Sequence, residues 1–117
     1  MGLLSGLALG CGQIAGGTYE AELAAHLDSR GAKMYGAYWC PYGKVQNKLF
    51  KRAASQIPYV ECDPQGAGAQ AELCQMSGIR SYPTWEIEGE FYEGVQPLGK
   101  LARLTGFKAP PKQFTLN

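Results

Sequence analysis

The feature that most constrains this chain is the junction Ala37-Tyr38-Trp39-Cys40-Pro41, where an apolar run ends on a cysteine and a proline opens an amphipathic stretch. Ala32 to Tyr38 reads as a short buried strand. Proline suits the first turn of a helix, because the N–H it lacks would be unbonded there anyway. Val45, Leu49, Phe50 and Ala53 then share one face, so the spacing predicts a helix to about Ala54 with these four residues buried. Lys44, Lys48, Lys51 and Arg52 make the rest of that helix basic, either as a solvated face or as a surface for an acidic partner. A cysteine at such a joint lies at the helix N-terminus, where the partial positive charge and free N–H groups favour thiolate, and Lys44 adds to that tendency. The thiolate is the species that attacks disulfides, so the placement suits exchange chemistry; a buried, inert cysteine is the alternative that spacing leaves open.

The flanking segments build a sheet around this junction. Thr18 can cap a helix to about Ser29, with Glu20 and Glu22 at its positive end and Leu23 and Leu27 on its buried side. His26, on the same helix, reads as a surface or locally satisfied histidine. Tyr59 to Cys62 forms a second strand, Asp63 to Gly66 a turn, and residues 67–77 a third helix stopped by Gly78. Thr84 to Glu88 and Phe91 to Val95, joined through Gly89-Glu90, alternate like an antiparallel hairpin. Pro97 opens a last helix with Leu98, Leu101 and Leu104 on one side, ended by Gly106. The order α-β-α-β-α-β-β-α predicts an α/β chain, a small mixed sheet with helices on both faces. At 117 residues there is material for one core, which excludes separate cofactor and substrate lobes. A formal charge of +1 supplies no global field toward nucleic acid or anionic lipid, so no nucleic-acid partner is expected.

Four cysteines, Cys11, Cys40, Cys62 and Cys74, form no close CxxC pairs, match no zinc pattern built on two such pairs, and point to disulfide chemistry. No metal and no cofactor are expected. The first charged side chain is Glu20, and before it Gly2, Gly6 and Gly10 stand four apart, so a helix there would carry a bare stripe for another helix to lie against. That apolar run is about ten residues long, where ~20 are needed to cross a bilayer. It lacks the basic start of a signal peptide, and Leu9-Gly10-Cys11 is only loosely similar to a lipoprotein cleavage site.

Taken jointly, the run 31–43 (GAKMYGAYWCPYG), Tyr59-Val60-Glu61-Cys62, Ala71-Glu72-Leu73-Cys74, the run 78–85 (GIRSYPTW) and Leu104-Thr105-Gly106-Phe107 resemble the thioredoxin superfamily. More narrowly they look like the thioredoxin-like domain fused to vitamin K epoxide reductase homologues of cyanobacteria and chloroplasts. The resemblance covers about residues 19–107. It implies a thioredoxin-like fold with an extra N-terminal helix as a domain over 18–107; the apolar segment 1–17, read from its own composition as docking or membrane-proximal, and the tail 108–117 lie outside what it explains. It implies that Cys40 is the nucleophile, that Trp39, Pro41, Tyr42, Tyr82 and a cis Pro83 contact an extended substrate, and that Cys62 and Cys74 form a disulfide. Such a bridge would stabilise the domain by roughly 3 kcal/mol on the chain-entropy estimate, enough for a purely structural role. The implied partners are protein thiols or disulfides, and the apolar segment 1–17 by its own composition adds a membrane complex as an expected contact. The implied location is the thylakoid lumen or its membrane, or the periplasm, all oxidising enough to keep a disulfide.

One departure stands against these matches: the family's Cys-Pro-X-Cys is here Cys40-Pro41-Tyr42-Gly43. The second cysteine resolves the mixed disulfide, and glycine has no thiol to do so. Two functions follow from this. One is a thiol–disulfide oxidoreductase domain, at most monothiol. The other is a catalytically inactive thioredoxin-fold subunit that serves a photosynthetic membrane complex as a structural or binding component.

Overall fold

The computed structural model describes residues 17–109. The expected docking stripe on Gly2, Gly6 and Gly10, the cysteine Cys11 and residues 110–117 of the tail lie outside the described residues.

Thr18 stands in extended backbone and its hydroxyl oxygen accepts the Ala21 N–H at 3.1 Å, which starts α1 (Tyr19–Ser29) where the sequence places it. Ala21, Leu23, Ala24 and Leu27 form its buried side. Strand β1 (Lys33–Gly36) is shorter than the apolar run, because the chain turns at Ala37, whose carbonyl accepts the Cys40 N–H at 2.9 Å. Helix α2 (Pro41–Leu49) follows, then a 3₁₀ helix (Lys51–Gln56), β2 (Tyr59–Glu61), α3 (Ala71–Met76), β3 (Thr84–Ile87), β4 (Glu90–Glu93) and α4 (Leu98–Thr105). Gly106, at φ 68°, closes α4 in the left-handed conformation that glycine adopts without cost.

The sheet runs in the order β2-β1-β3-β4. β1 pairs in parallel with β2 and antiparallel with β3, and the β3–β4 hairpin turns on Glu88 and Gly89, both at positive φ. A parallel pair needs a crossover, and α2 with the 3₁₀ helix supplies it. Side chains alternate across β1. Met34 joins Leu23, Leu27, Phe50, Trp85 and Leu101 in the main core, while Tyr35 joins Val60, Cys62 and Cys74 on the other face. Helices α1, α2 and α4 thus cover one face and α3 the other, the mixed architecture expected from the element order. Among the described residues no helix is long and apolar enough to cross a membrane.

Three expectations need correction. The helix after Cys40 does not run to Ala54; Lys51 takes φ 53° and the chain tightens into the 3₁₀ helix. Its buried line is Gly43, Gln46, Phe50 and Ala53, while Val45 and Leu49 are 48% and 37% exposed. The reason is that α2 starts with Cys40 turned toward the Tyr82 loop, and the fully buried Gln46 is hydrogen-bonded through both its amide oxygen and its amide nitrogen. Its Oε1 accepts from Trp85 Nε1 at 3.0 Å and from Gln96 N at 2.8 Å, and its Nε2 donates to the Gln96 carbonyl at 3.0 Å. Third, α3 begins at Ala71 rather than residue 67, since the segment before it folds back in turns with Gly68 at φ 65°.

Candidate active site

Cys40 occupies the N-cap of α2, in extended backbone, with Pro41 opening the helix. Its own carbonyl accepts the Lys44 N–H at 3.3 Å, while its side chain caps nothing. The thiol points instead across to the loop before β3, where its Sγ donates to the Tyr82 carbonyl at 3.8 Å. Cys40 is only 5% exposed, under a rim of exposed aromatics: Tyr38, Trp39 and Tyr42. The Tyr82–Pro83 bond is cis and Pro83 is fully buried. Thr84 Oγ1 bonds the Ser81 carbonyl at 2.8 Å and Gly94 N bonds the Pro83 carbonyl at 2.7 Å, so the loop that faces the thiol is held from both strands of the hairpin.

A second set of bonds fixes the other side of the junction. The buried Glu61 carboxylate, at the end of β2, accepts from the Tyr59 hydroxyl at 2.8 Å, from Asp63 N at 2.9 Å and from Tyr38 N at 3.3 Å. Asp63 in turn accepts the Trp39 indole N–H at 2.6 Å, and Trp39 packs edge-on against Tyr82 with ring centroids 6.0 Å apart. Backbone bonding from Gln65, then the Trp39 indole, holds the Asp63 carboxyl below its ordinary range. Burial, then the bond to Glu61, pushes the Tyr59 hydroxyl above the usual phenol range. Gly66 lies so close that a Cβ there would sit 2.5 Å from the Glu61 side chain, so this turn requires glycine.

Gly43 lies one helical turn beyond Cys40, and nothing stands within 4 Å of the position its Cβ would take. A cleft of about 370 Å³ opens there, bounded by Cys40, Gly43, Lys44 and Asn47 on one side and by Tyr38 and Tyr59 on the other. Cys62 and Cys74 are joined by a disulfide, with Cα atoms 5.7 Å apart, buried beneath Tyr82 beside Tyr35 and Val60. Among the described residues Cys40 is the free cysteine, and no group of three His, Cys, Asp or Glu side chains could hold a metal. His26 is locally satisfied: its Nε2 donates to the Thr105 carbonyl at 2.8 Å and ties α1 to α4.

The structure therefore brings Trp39, Cys40, Pro41, Tyr42, Tyr82 and Pro83 together at one end of the sheet, with the Cys62–Cys74 bridge below them. Sequence reasoning passed over the Tyr59–Glu61–Asp63 set and Gln46. The first was signalled by two polar residues two apart on a short strand, which face the same way. Gln46 was signalled by the 3-4-3 spacing of Gly43, Gln46, Phe50 and Ala53, which reads as a buried stripe once a polar member is admitted.

A cysteine capping the helix after the first strand, opposite a cis-proline loop on a four-stranded mixed sheet, is the arrangement of a thioredoxin-like fold. The chain is similar to the thiol-disulfide oxidoreductase LTO1 of Arabidopsis thaliana, with 42% identity over 93 residues that cover 76% of this chain and 25% of the relative. It thus spans about a quarter of that protein's length. Among solved structures it is similar to oxidized glutaredoxin 2 from Chlamydomonas reinhardtii, at 22% identity and a TM-score of 0.45, over 78% of this chain and 100% of the other. No family model matches the chain.

Proposed function

We propose that this domain carries out thiol–disulfide exchange through Cys40 alone, on protein thiols or disulfides. The carrying observation is the Cys40 thiol at the head of α2, aimed at the Tyr82 carbonyl beside cis Pro83. An extended substrate segment would lie against Tyr82 and the Trp39, Pro41 and Tyr42 rim, and Cys40 would form a mixed disulfide with it. Gly43 limits the motif to that monothiol step. The similarity to a protein named a thiol-disulfide oxidoreductase supports the redox reading. The finer proposal is electron exchange with a vitamin K epoxide reductase-type membrane partner, in a thylakoid lumen or periplasm where the Cys62–Cys74 bridge survives.

The test is a disulfide-reduction assay comparing the chain with Gly43→Cys at millimolar thiol. A second cysteine turns a bimolecular resolution into an intramolecular one, so the variant should turn over roughly tenfold faster or more. The open space at Gly43 lets the sulfur fit. The unaltered chain should still alkylate rapidly at Cys40 with iodoacetamide near neutral pH. A Cys40 as sluggish as an inert buried thiol, with activity only in Gly43→Cys, would identify a disabled member of the fold, as the second reading requires; loss of co-purification with a larger assembly on deletion of residues 1–17 would then mark it as a subunit of a membrane complex. Gly43 itself is the observation that favours that alternative.

A further inference from the structure

Two recesses flank the Cys40 junction and share no lining residue. One, of about 420 Å³, lies on the β4 side between Tyr42, Tyr82, Glu93 and Gly94. The other is the Gly43 cleft on the β2 side, bounded by Tyr59 and α2, and Cys40 is part of its wall. The first adjoins the cis-proline loop, where the reading above puts the substrate. The second is open because residue 43 carries no side chain. Its lining joins the buried, apolar Met34, Ala37 and Ile57 with the exposed Lys44 and the half-buried Asn47. None of the ion pairs among the described residues engages Lys44.

The geometry points to the Gly43 cleft as the entry site of the resolving thiol, a low-molecular-weight thiol bearing a carboxylate. This deepens, and rests on, the monothiol reading. Attack on a disulfide sulfur proceeds along the S–S axis from the side opposite the leaving sulfur, so a substrate held on the Tyr82 side leaves the β2 side of Cys40 for the incoming thiolate. The cleft supplies that approach, and Lys44 at its rim attracts a carboxylate. Cys40 thiolate attacks the substrate disulfide, forms the mixed disulfide and releases one substrate thiol. The small thiolate attacks Cys40 Sγ, its S–S bond to the substrate breaks, and the second substrate thiol leaves with the electron pair and takes up a proton. A second small thiolate then attacks the sulfur of the first, which regenerates Cys40 thiolate. The sum is one substrate disulfide reduced to two thiols and two small thiols oxidised to one disulfide.

The test uses the full chain with Cys11→Ser, so that no other thiol of the chain contributes, and with Cys40 loaded as its thionitrobenzoate mixed disulfide. Release of thionitrobenzoate is timed with 3-mercaptopropionate, 2-mercaptoethanol and cysteamine, each normalised to its rate on the same mixed disulfide of N-acetylcysteine. The anionic thiol should react about fivefold faster than the cationic one, and Lys44→Glu should reverse that order. Gly43→Leu, whose side chain fills the cleft, should slow all three by about tenfold or more. Circular dichroism and the thermal midpoint confirm that the leucine variant is folded, and the charge reversal in Lys44→Glu stands independently of any packing effect. If both variants release thionitrobenzoate at the unaltered rates and in the unaltered order, the thiol enters elsewhere and the inference falls while monothiol exchange stands. If Cys40 neither loads nor releases in the unaltered chain, the monothiol reading fails and takes the inference with it.

Discussion

At the scale of single residues, the junction is held by Glu61 and Asp63, side chains outside the set proposed to meet the substrate. Glu61 gathers the Tyr59 hydroxyl and two backbone N–H groups, and Asp63 beside it carries the Trp39 indole. The Asp63 carboxyl is depressed in the folded state, so its bonds are present above the ordinary aspartate value of about 3.9 and are lost only as pH falls through the lower, folded value. Trp39 should therefore report a fluorescence transition with a midpoint below that of free aspartate, and Asp63→Asn should abolish it. A transition at the ordinary value, or one that survives the substitution, contradicts the Trp39–Asp63 bond. Tyr59 is shifted the opposite way, so its bond to Glu61 is fully present below the phenol's ordinary value and is lost only as pH rises through its raised one. The cysteine, the proline after it and the glycine at 43 were all legible in the chain itself. For Glu61 the chain signals only a same-face neighbour of Tyr59, because nothing local says that a carboxylate at a strand end will be turned inward to bind the backbone of a loop more than twenty positions away.

Among the elements, α2 carries most of what the chain's periodicity misread. Counting hydrophobic residues selects Val45 and Leu49 as its inner face, yet they lie outside and Gln46 lies inside at 0% exposure. The preference of apolar groups for burial was overruled by satisfaction of polar ones: a tryptophan N–H and the N–H and carbonyl of Gln96 would otherwise be buried without partners. Gln46→Leu keeps the volume but strands all three, and should cost about 3 kcal/mol in urea unfolding, at ~1 kcal/mol or more per orphaned group. A loss below about 1 kcal/mol would show that the network is dispensable. The exposed Val45, Leu49 and Tyr42 leave α2 with an apolar outer side next to the thiol, beside the exposed Lys44 and Lys48. Where capping chemistry is local, as at Thr18 or Gly106, reading and structure agree to the residue.

For the whole molecule, the bridge between Cys62 and Cys74 ties the end of β2 to α3 on the thinly covered face of the sheet. One short helix covers that face, so the cross-link replaces a core that the chain is too small to build there. The double variant Cys62→Ser/Cys74→Ser should unfold at lower urea by roughly 3 kcal/mol, the chain-entropy value for a loop of this size. An unchanged midpoint would argue that the bridge serves redox chemistry rather than stability. The sequence by itself determined the element order, the caps at Thr18 and Gly106, the presence of the hairpin though its turn lies one residue earlier than read, and the cysteine at the head of α2, because each follows from contacts within a few positions along the chain. Only the tertiary structure decided which face of α2 is buried, that Glu61 anchors the Trp39 loop, and that the cleft beside Gly43 opens onto Cys40 away from the cis-proline loop. Those depend on groups brought together from distant positions, where hydrogen-bond satisfaction and shape outweigh the local pattern.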